Sequence, residues 1–282
     1  MFDLDLSAIV TYNPSSVTAT TTLSDLVNLV DQTHFHQWPV VDGELNLVGI
    51  VSDIDVVQAV QQRLTAMAAI DETVNESVRW EPCLVDNIMA RDVVTVEHTD
   101  SPKKSLRLLI DHHIRSLPVL EDGRLIAMLT TTDFIRELSY GNVPLSRDSV
   151  AKFMVPPPES IDVETTVDEA CQMFLNAESD YLCILKGDFP LGVVSRRDVH
   201  SAKCRETTRQ ILDNEFTDDG PRTVAQIVQQ SPTVMPGQSM FEAASILLES
   251  RKQAIAVVNR ANRLLGVITE EHILRSVLYD GL

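Results

Sequence analysis

Four short patterns in this chain carry the residue types from which a small polar binding site can be made. They read Ser52-x-x-Asp55, Thr130-x-x-Asp133, Ser195-x-x-Asp198 and Thr269-x-x-His272. A hydroxyl followed three residues later by a carboxylate is a capping box. The hydroxyl accepts a hydrogen bond from the third helical N–H, and the carboxylate accepts one from the N–H of the cap residue. The same geometry can hold a ligand: a helix start offers free N–H groups to an anion, and a carboxylate can accept both hydroxyls of a ribose diol. Both readings stand on one copy alone.

Local charge separates the copies. Ser195-Arg196-Arg197-Asp198 sets two guanidinium groups beside a helix start, which suits phosphate in charge and geometry. Thr130-Thr131-Thr132-Asp133 offers hydroxyls without repulsion, with His113 and Arg115 shortly upstream as donors for a neighbouring copy. Ser52-Asp53-Ile54-Asp55 adds a second acid where phosphate would approach if Asp53 faces a cleft. Thr269-Glu270-Glu271-His272 lacks the carboxylate and carries two acids. The expected order of occupancy is third copy, second, first, with the fourth empty. Asp198 is the expected ribose acceptor, with Arg196 or Arg197 assisting phosphate. Each arginine can equally belong to a solvated helix face.

The elements around the patterns repeat. Each follows an apolar run, a polar turn and a second apolar run, as in "WPVVDGELNLVGIVSDID", "LPVLEDGRLIAMLTTTDF", "YLCILKGDFPLGVVSRRDV" and "IAVVNRANRLLGVITEEHI". Upstream, Leu23, Leu26, Val27 and Val30 fall on one helical face, as do Pro102, Ser105, Leu106 and Leu109, then Val167, Ala170, Cys171 and Phe174, then Met240, Ala243, Ala244 and Leu247. Further upstream a short strand carries Ser16, Thr95, Ser160 or Thr233, always 38 or 39 residues before the Asp or His. A length kept four times marks a repeat. The unit is strand–helix–strand–strand–helix, its central strands a hairpin, with Pro39 and Pro118 expected at strand starts. The fold class is mixed α+β. Four units span 7–63, 84–140, 148–203 and 222–282, grouped as domains 1–143 and 144–282 at "SYGNVPLSRDS".

At these residues the chain resembles the CBS domain, named after cystathionine β-synthase; "DNIMARDVVTV" before the second copy also fits its usual opening. The resemblance implies tandem pairs, or Bateman modules, packed through their sheets, with clefts that bind AMP, ADP, ATP, S-adenosylmethionine or NAD-type molecules, or nothing. It implies that the first-strand hydroxyl lies beside adenine, the Asp on ribose, and the Ser/Thr near ribose or phosphate. The implied ligand residues are Ser16, Ser52 and Asp55; Thr95, Thr130 and Asp133; and Ser160, Ser195, Arg196, Arg197 and Asp198. Four units in one chain resemble the layout of the γ subunit of AMP-activated protein kinase, and so imply energy sensing. Departures are Pro156-Pro157-Pro158 before the third copy's first strand, no proline at Leu182, and Ala127 in place of glycine.

Composition narrows the alternatives. The 282 residues hold 23 Lys and Arg against 41 Asp and Glu, a formal charge of −18, which disfavours nucleic acid and anionic membranes as partners. Hydrophobic residues at 44% supply a core. No apolar run reaches membrane-spanning length, and "MFDLDLSAIV" lacks a secretory pattern, so the expected location is cytoplasmic. Cys83, Cys171, Cys183 and Cys204 read as free thiols. His34-x-His36 and His112-His113 fall at helix ends, where His is favoured without metal. No P-loop, G-x-S-x-G or G-x-G-x-x-G occurs, no metal is expected, and the length leaves no room for a catalytic domain. The expected protein is a non-enzymatic regulator that binds an adenosine nucleotide and signals to a protein partner. It would act as a homodimer or as a disc completed by its own four units. The rivals are a ligand-free scaffold and, last, an enzyme acting on nucleotides.

Overall fold

The structure, a computed structural model, describes residues 5–33, 35–68, 83–141, 148–177, 179–203, 222–228 and 231–279. Each repeat folds as its pattern requires. The hairpins are β2 (Gln37–Val41) with β3 (Leu47–Ser52), β5 (Ser116–Glu121) with β6 (Arg124–Thr130), β8 (Tyr181–Lys186) with β9 (Phe189–Ser195), and β11 (Ala254–Val258) with β12 (Leu264–Thr269). A short parallel strand flanks three of them: β4 (Val96–Glu97) on β5, β7 (Ser160–Asp162) on β8, and β10 (Thr233–Val234) on β11. In the first unit a single parallel bridge, Val17 to Val40, does this work. All four hairpins carry a register shift at the same place, Val40/Val41, Val119/Leu120, Ile184/Leu185 and Val257/Val258.

The helices preceding the hairpins bury the predicted faces. Leu23, Leu26 and Val27 are buried and Val30 half-buried on Leu23–Gln32; Pro102, Ser105, Leu106 and Leu109 are buried on Pro102–Asp111; Val167, Ala170, Cys171 and Phe174 on Val167–Asn176; and Met240, Ala243, Ala244 and Leu247 on Met240–Ser250. Each starts at a hydroxyl cap, Thr22, Ser101, Thr166 or Ser239, whose side chain accepts from the backbone three residues on.

Units one and two exchange their leading segments, and so do units three and four. The 3-10 turn Leu6–Ala8 and β1 (Thr11–Tyr12) lead unit one, but β1 pairs with β6 of unit two. Ala90, leading unit two, bridges to Ile50 of unit one. Val155 bridges to Val267, and Ser231 N–H donates to Leu191 O. The glycines opposite the register shifts make room for these segments. A Cβ at Gly266 would lie 2.3 Å from Val155 O, at Gly192 2.8 Å from Val228 Cγ2, and at Gly49 2.7 Å from Met89 Sδ. Ala127 stands at the matching position in unit two, where Tyr12 is its partner across the ladder. The glycine therefore receives a neighbour's segment.

Two smaller expectations change. Pro39 and Pro118 are the third residues of β2 and β5, not the first. The register also places Cys183, opposite Val193, where units one and two have Pro39 and Pro118, so the missing proline is at Cys183 rather than Leu182.

Sheet contacts join unit one to two through Val41, Leu125 and Met128, and unit three to four through Cys183, Val193, Ala254, Ala256 and Val267. The largest core runs across residues 143 and 144. It joins Leu106, Leu109, Phe134, Ile135 and Leu138 of unit two to Met240, Ala244, Leu247, Ile273 and Leu274 of unit four. Apolar burial of that kind is the main driving force for packing, so the four units share one folded body.

Candidate functional site

All four Ser/Thr-x-x-Asp/His patterns sit where a hairpin passes into a helix, and all four are capped. Asp55 Oδ2 accepts from Ser52 N–H at 2.8 Å and from its hydroxyl at 2.6 Å. Asp133 Oδ2 does so from Thr130 at 2.8 and 2.6 Å, and Asp198 Oδ2 from Ser195 at 2.8 Å twice. In unit four, Nδ1 of His272 replaces the carboxylate and lies 3.2 Å from Thr269 N. That nitrogen must be the unprotonated one. Burial accordingly pushes the imidazole below its usual range, with Glu271 opposing. A neutral imidazole has one acceptor nitrogen, and the cap uses it.

The remaining geometry differs between units. Asp133 is 3% exposed, and its second oxygen accepts from Arg136 Nη1 at 2.8 Å. Asp198 is exposed and Asp55 half-buried. Only Asp133 of the three lies in the wall of a cleft of about 500 Å³. Unit one supplies Thr11, Asn13, Pro14, Ser15, Phe35, His36 and Gln37; unit two supplies Arg115, Ser116, Met128, Thr130, Thr131, Thr132, Asp133 and Arg136; Arg197 comes from unit three and Gln253 from unit four. Such a volume suits a small organic ligand.

The arginines of unit three do not act together. Arg196 Nε binds Asp180 at 2.9 Å, its terminal nitrogens donate to the carbonyls of Phe174 and Ala177, and its guanidinium lies 5.3 Å from the centre of the Phe174 ring. Those carbonyls end the helix Val167–Asn176, so Arg196 caps a helix C-terminus, as cations do. Those bonds engage its guanidinium at the helix end, and the residue also lines a second cleft with Ser195 and Arg197. Arg197 instead crosses to unit one and binds buried Asp53, Nε to Oδ2 at 3.0 Å, while its side chain also lines the Asp133 cleft.

The repeat explains these placements. Asp53, Thr131, Arg196 and Glu270 each follow the cap hydroxyl. Their N–H groups donate to the carbonyls of His36, Arg115, Asp180 and Gln253, at 3.0, 2.9, 2.8 and 3.0 Å. The side chains of these eight residues bond in three groups: His36 with Asp53, Arg115 with Gln253, Glu270 and Thr131, and Asp180 with Arg196. His36 Nδ1 lies 2.9 Å from Asp53 Oδ2. Arg115 Nη2 reaches Glu270 Oε2 at 2.6 Å, and its Nη1 bonds Gln253. Glu270 also accepts from Thr131 at 2.9 Å and Thr132 at 3.3 Å. Asp53 is thus buried in a bridge behind the cleft wall rather than exposed in the cleft.

The first-strand hydroxyls are placed less uniformly than expected. Ser160 and Thr233 lie in β7 and β10, whereas Ser16 and Thr95 directly precede the paired residues Val17 and Val96. None of Ser16, Thr95 or Ser160 lines the Asp133 cleft; Ser15 does. Sequence reasoning missed Phe35, Arg136 and Gln253. Arg136 was findable, three residues beyond Asp133 and hence on its helical face.

Among the described residues no group of His, Cys, Asp and Glu could hold a metal. His34 and Cys204 lie outside the described residues. His113 Nδ1 lies 3.6 Å from Glu271 Oε1. Cys171 and Cys183 are free and buried, and burial raises their thiols to about 11 and about 12. No helix among the described residues is long and apolar enough to cross a membrane.

Four repeated strand–helix–hairpin–helix units with capped helix starts define the architecture of a CBS-domain protein. The CBS domain matches residues 6–62, 85–140, 150–204 and 224–279, and the chain belongs to that family. Uncharacterized protein MJ1404 of Methanocaldococcus jannaschii is 25% identical over 213 residues, which cover 68% of this chain and 47% of that protein. Protein MJ1225 of the same organism is 31% identical over 100 residues, 36% of this chain and 30% of that protein. The chain's matches thus span half or less of these relatives' lengths. The crystal structure of MJ1225, a candidate archaeal homolog of g-AMPK, superposes with a TM-score of 0.77 at 19% identity, over 96% of this chain and 99% of that one. A conserved uncharacterized protein from Pyrococcus horikoshii gives 0.63 at 19% identity, over 97% and 100%. Both likenesses concern the fold.

Proposed function

We propose that this chain is a non-catalytic regulatory protein that binds an adenosine nucleotide of the AMP, ADP or ATP class in the cleft beside Asp133. A ligand-bound arrangement of the units would then be read by a protein partner. The observation that carries the reading is the convergence, in one cleft, of a buried carboxylate, several hydroxyls and three guanidinium groups. Asp133 would take the ribose hydroxyls, and Thr130 and Thr132 would flank them. Arg115, Arg136 and Arg197 would face the phosphate, and the half-exposed ring of Phe35 offers a stacking face to adenine. The leading site therefore moves from Asp198 to Asp133, while Arg197 keeps its proposed partner but serves a different unit's cleft. The cleft wall comes from all four units. A nucleotide that binds one arrangement more tightly must shift the population toward it. The four units would complete a disc within one chain, held by the core shared between units two and four.

A ligand-free scaffold is the second reading. It is favoured by the caps themselves, since every one of the four is satisfied within the protein. Calorimetric titration with AMP, ADP, ATP, NAD and S-adenosylmethionine separates the two. Saturable binding of at least one adenosine nucleotide is expected, and silence from all five supports the scaffold.

A further inference from the structure

Two buried acids stand directly behind the cationic wall of the Asp133 cleft, each from a different unit than the arginine it holds. Asp53 of unit one binds Arg197 of unit three, and Glu270 of unit four binds Arg115 of unit two. Their side chains are only 2% and 8% exposed. Neither lines the cleft, yet both fix donors that do. Asp53 holds Arg197 through Nε, and the terminal nitrogens of that guanidinium make no hydrogen bond among the described residues. Arg115 gives its two terminal nitrogens to Gln253 and Glu270 and keeps Nε. The guanidinium groups are therefore oriented and still able to donate.

The same contacts set the charge of the site. Arg115, Arg136 and Arg197 bring three positive charges to the wall; Asp133 in the wall, with Asp53 and Glu270 behind it, brings three negative ones. The wall offers directed hydrogen bonds with no surplus of positive charge, in a chain whose formal charge is −18. Each further phosphate brings negative charge that no residue here balances, and Coulomb repulsion grows with every charge added.

We propose, building on the nucleotide reading of this cleft, that Asp53 and Glu270 are its specificity-determining residues and restrict it to a nucleoside monophosphate over the triphosphate. They act through Arg197 and Arg115, so they are positioning residues. Removing either charge leaves one cation uncompensated and relieves the discrimination. Each bridge also ties a unit of the first pair to a unit of the second, so the residues that set phosphate preference are the ones that join the pairs.

The test is calorimetric titration of the full chain with adenosine, AMP and ATP, as wild type and as Asp53→Asn, Glu270→Gln and Glu270→Asp. The wild type should bind AMP more tightly than ATP. Each amide variant should shift the ATP-to-AMP affinity ratio toward ATP by about tenfold, the factor for about 1.4 kcal/mol, while adenosine affinity stays within about twofold. Glu270→Asp, which keeps the charge, should keep the wild-type ratio. Wild-type protein that prefers ATP, or amide variants that bind both nucleotides with the wild-type ratio, would overturn the inference and leave the cleft reading standing. Wild-type protein that binds none of the three would overturn both. The two amides sit on separate bridges, so if one variant fails to fold the other decides, and the wild-type preference decides alone if neither folds.

Discussion

Adding a single methyl group at Gly266 tests the exchange of leading segments that shapes each pair. The Cβ of an alanine there would lie 2.3 Å from Val155 O, a backbone atom that no rotamer change can move. Val155 and Val267 exchange two backbone hydrogen bonds, at 3.1 and 3.0 Å. The segment can stay, at an overpacking cost of about 1–3 kcal/mol. It can instead withdraw and lose both bonds, each worth about 0.5–1.5 kcal/mol. Either response costs about 2 kcal/mol, or a fall of about 4–8 °C in Tm for a protein of this size. Gly43→Ala is the control, because nothing lies within 4 Å of its Cβ. It should melt within about 2 °C of wild type, since surface changes usually stay within about 0.5 kcal/mol. Scanning calorimetry of both variants is the assay. Gly266→Ala melting as high as Gly43→Ala would refute the close approach and, with it, the pairing of Val155 to β12.

Three further outcomes follow from the side-chain geometry. Arg196→Ala should lower stability by about 1–2 kcal/mol through lost helix capping and lost packing on Phe174, with nucleotide affinity unchanged in calorimetry. Phe35→Ala should weaken AMP about tenfold, within the range of base–aromatic stacking, without lowering Tm. The depressed His272 makes stability depend on pH. The folded state resists the proton that the unfolded state takes up near 6.5, so this contribution is complete above that pH and is lost as pH falls below it. Melts from pH 7.5 to 5.5 should fall more steeply for wild type than for His272→Gln, and equal slopes would contradict the neutral-cap reading.

The fold was almost wholly legible because period and spacing survive sequence drift. Leu23, Leu26 and Val27 were marked as a core face by helical spacing alone, and the 38- or 39-residue interval fixed the repeat. The residues of the proposed cleft were legible in part; their assembly across units was not. Asp133, Thr130 and Arg197 were named, yet Arg197 was assigned to its own unit because sequence places a side chain only within its element. Arg197 lines the Asp133 cleft and bonds Asp53, 144 residues away in another unit. From sequence alone Asp53, if it faces a cleft, and Glu270 read as acids that repel phosphate. Their burial against arginines of other units became visible only once the four units were placed together.

The central claim is that a nucleotide sits against Asp133, and one measurement addresses it: calorimetric AMP titration of wild type beside Asp133→Asn and Asp198→Asn. Asparagine keeps the volume and can still accept one capping bond, while it loses the charged acceptor for the ribose diol. The account predicts binding to the wild type, a loss of about tenfold or more in Asp133→Asn, and wild-type affinity in Asp198→Asn. Wild-type affinity in Asp133→Asn with a loss in Asp198→Asn would contradict it and return the site to the third unit.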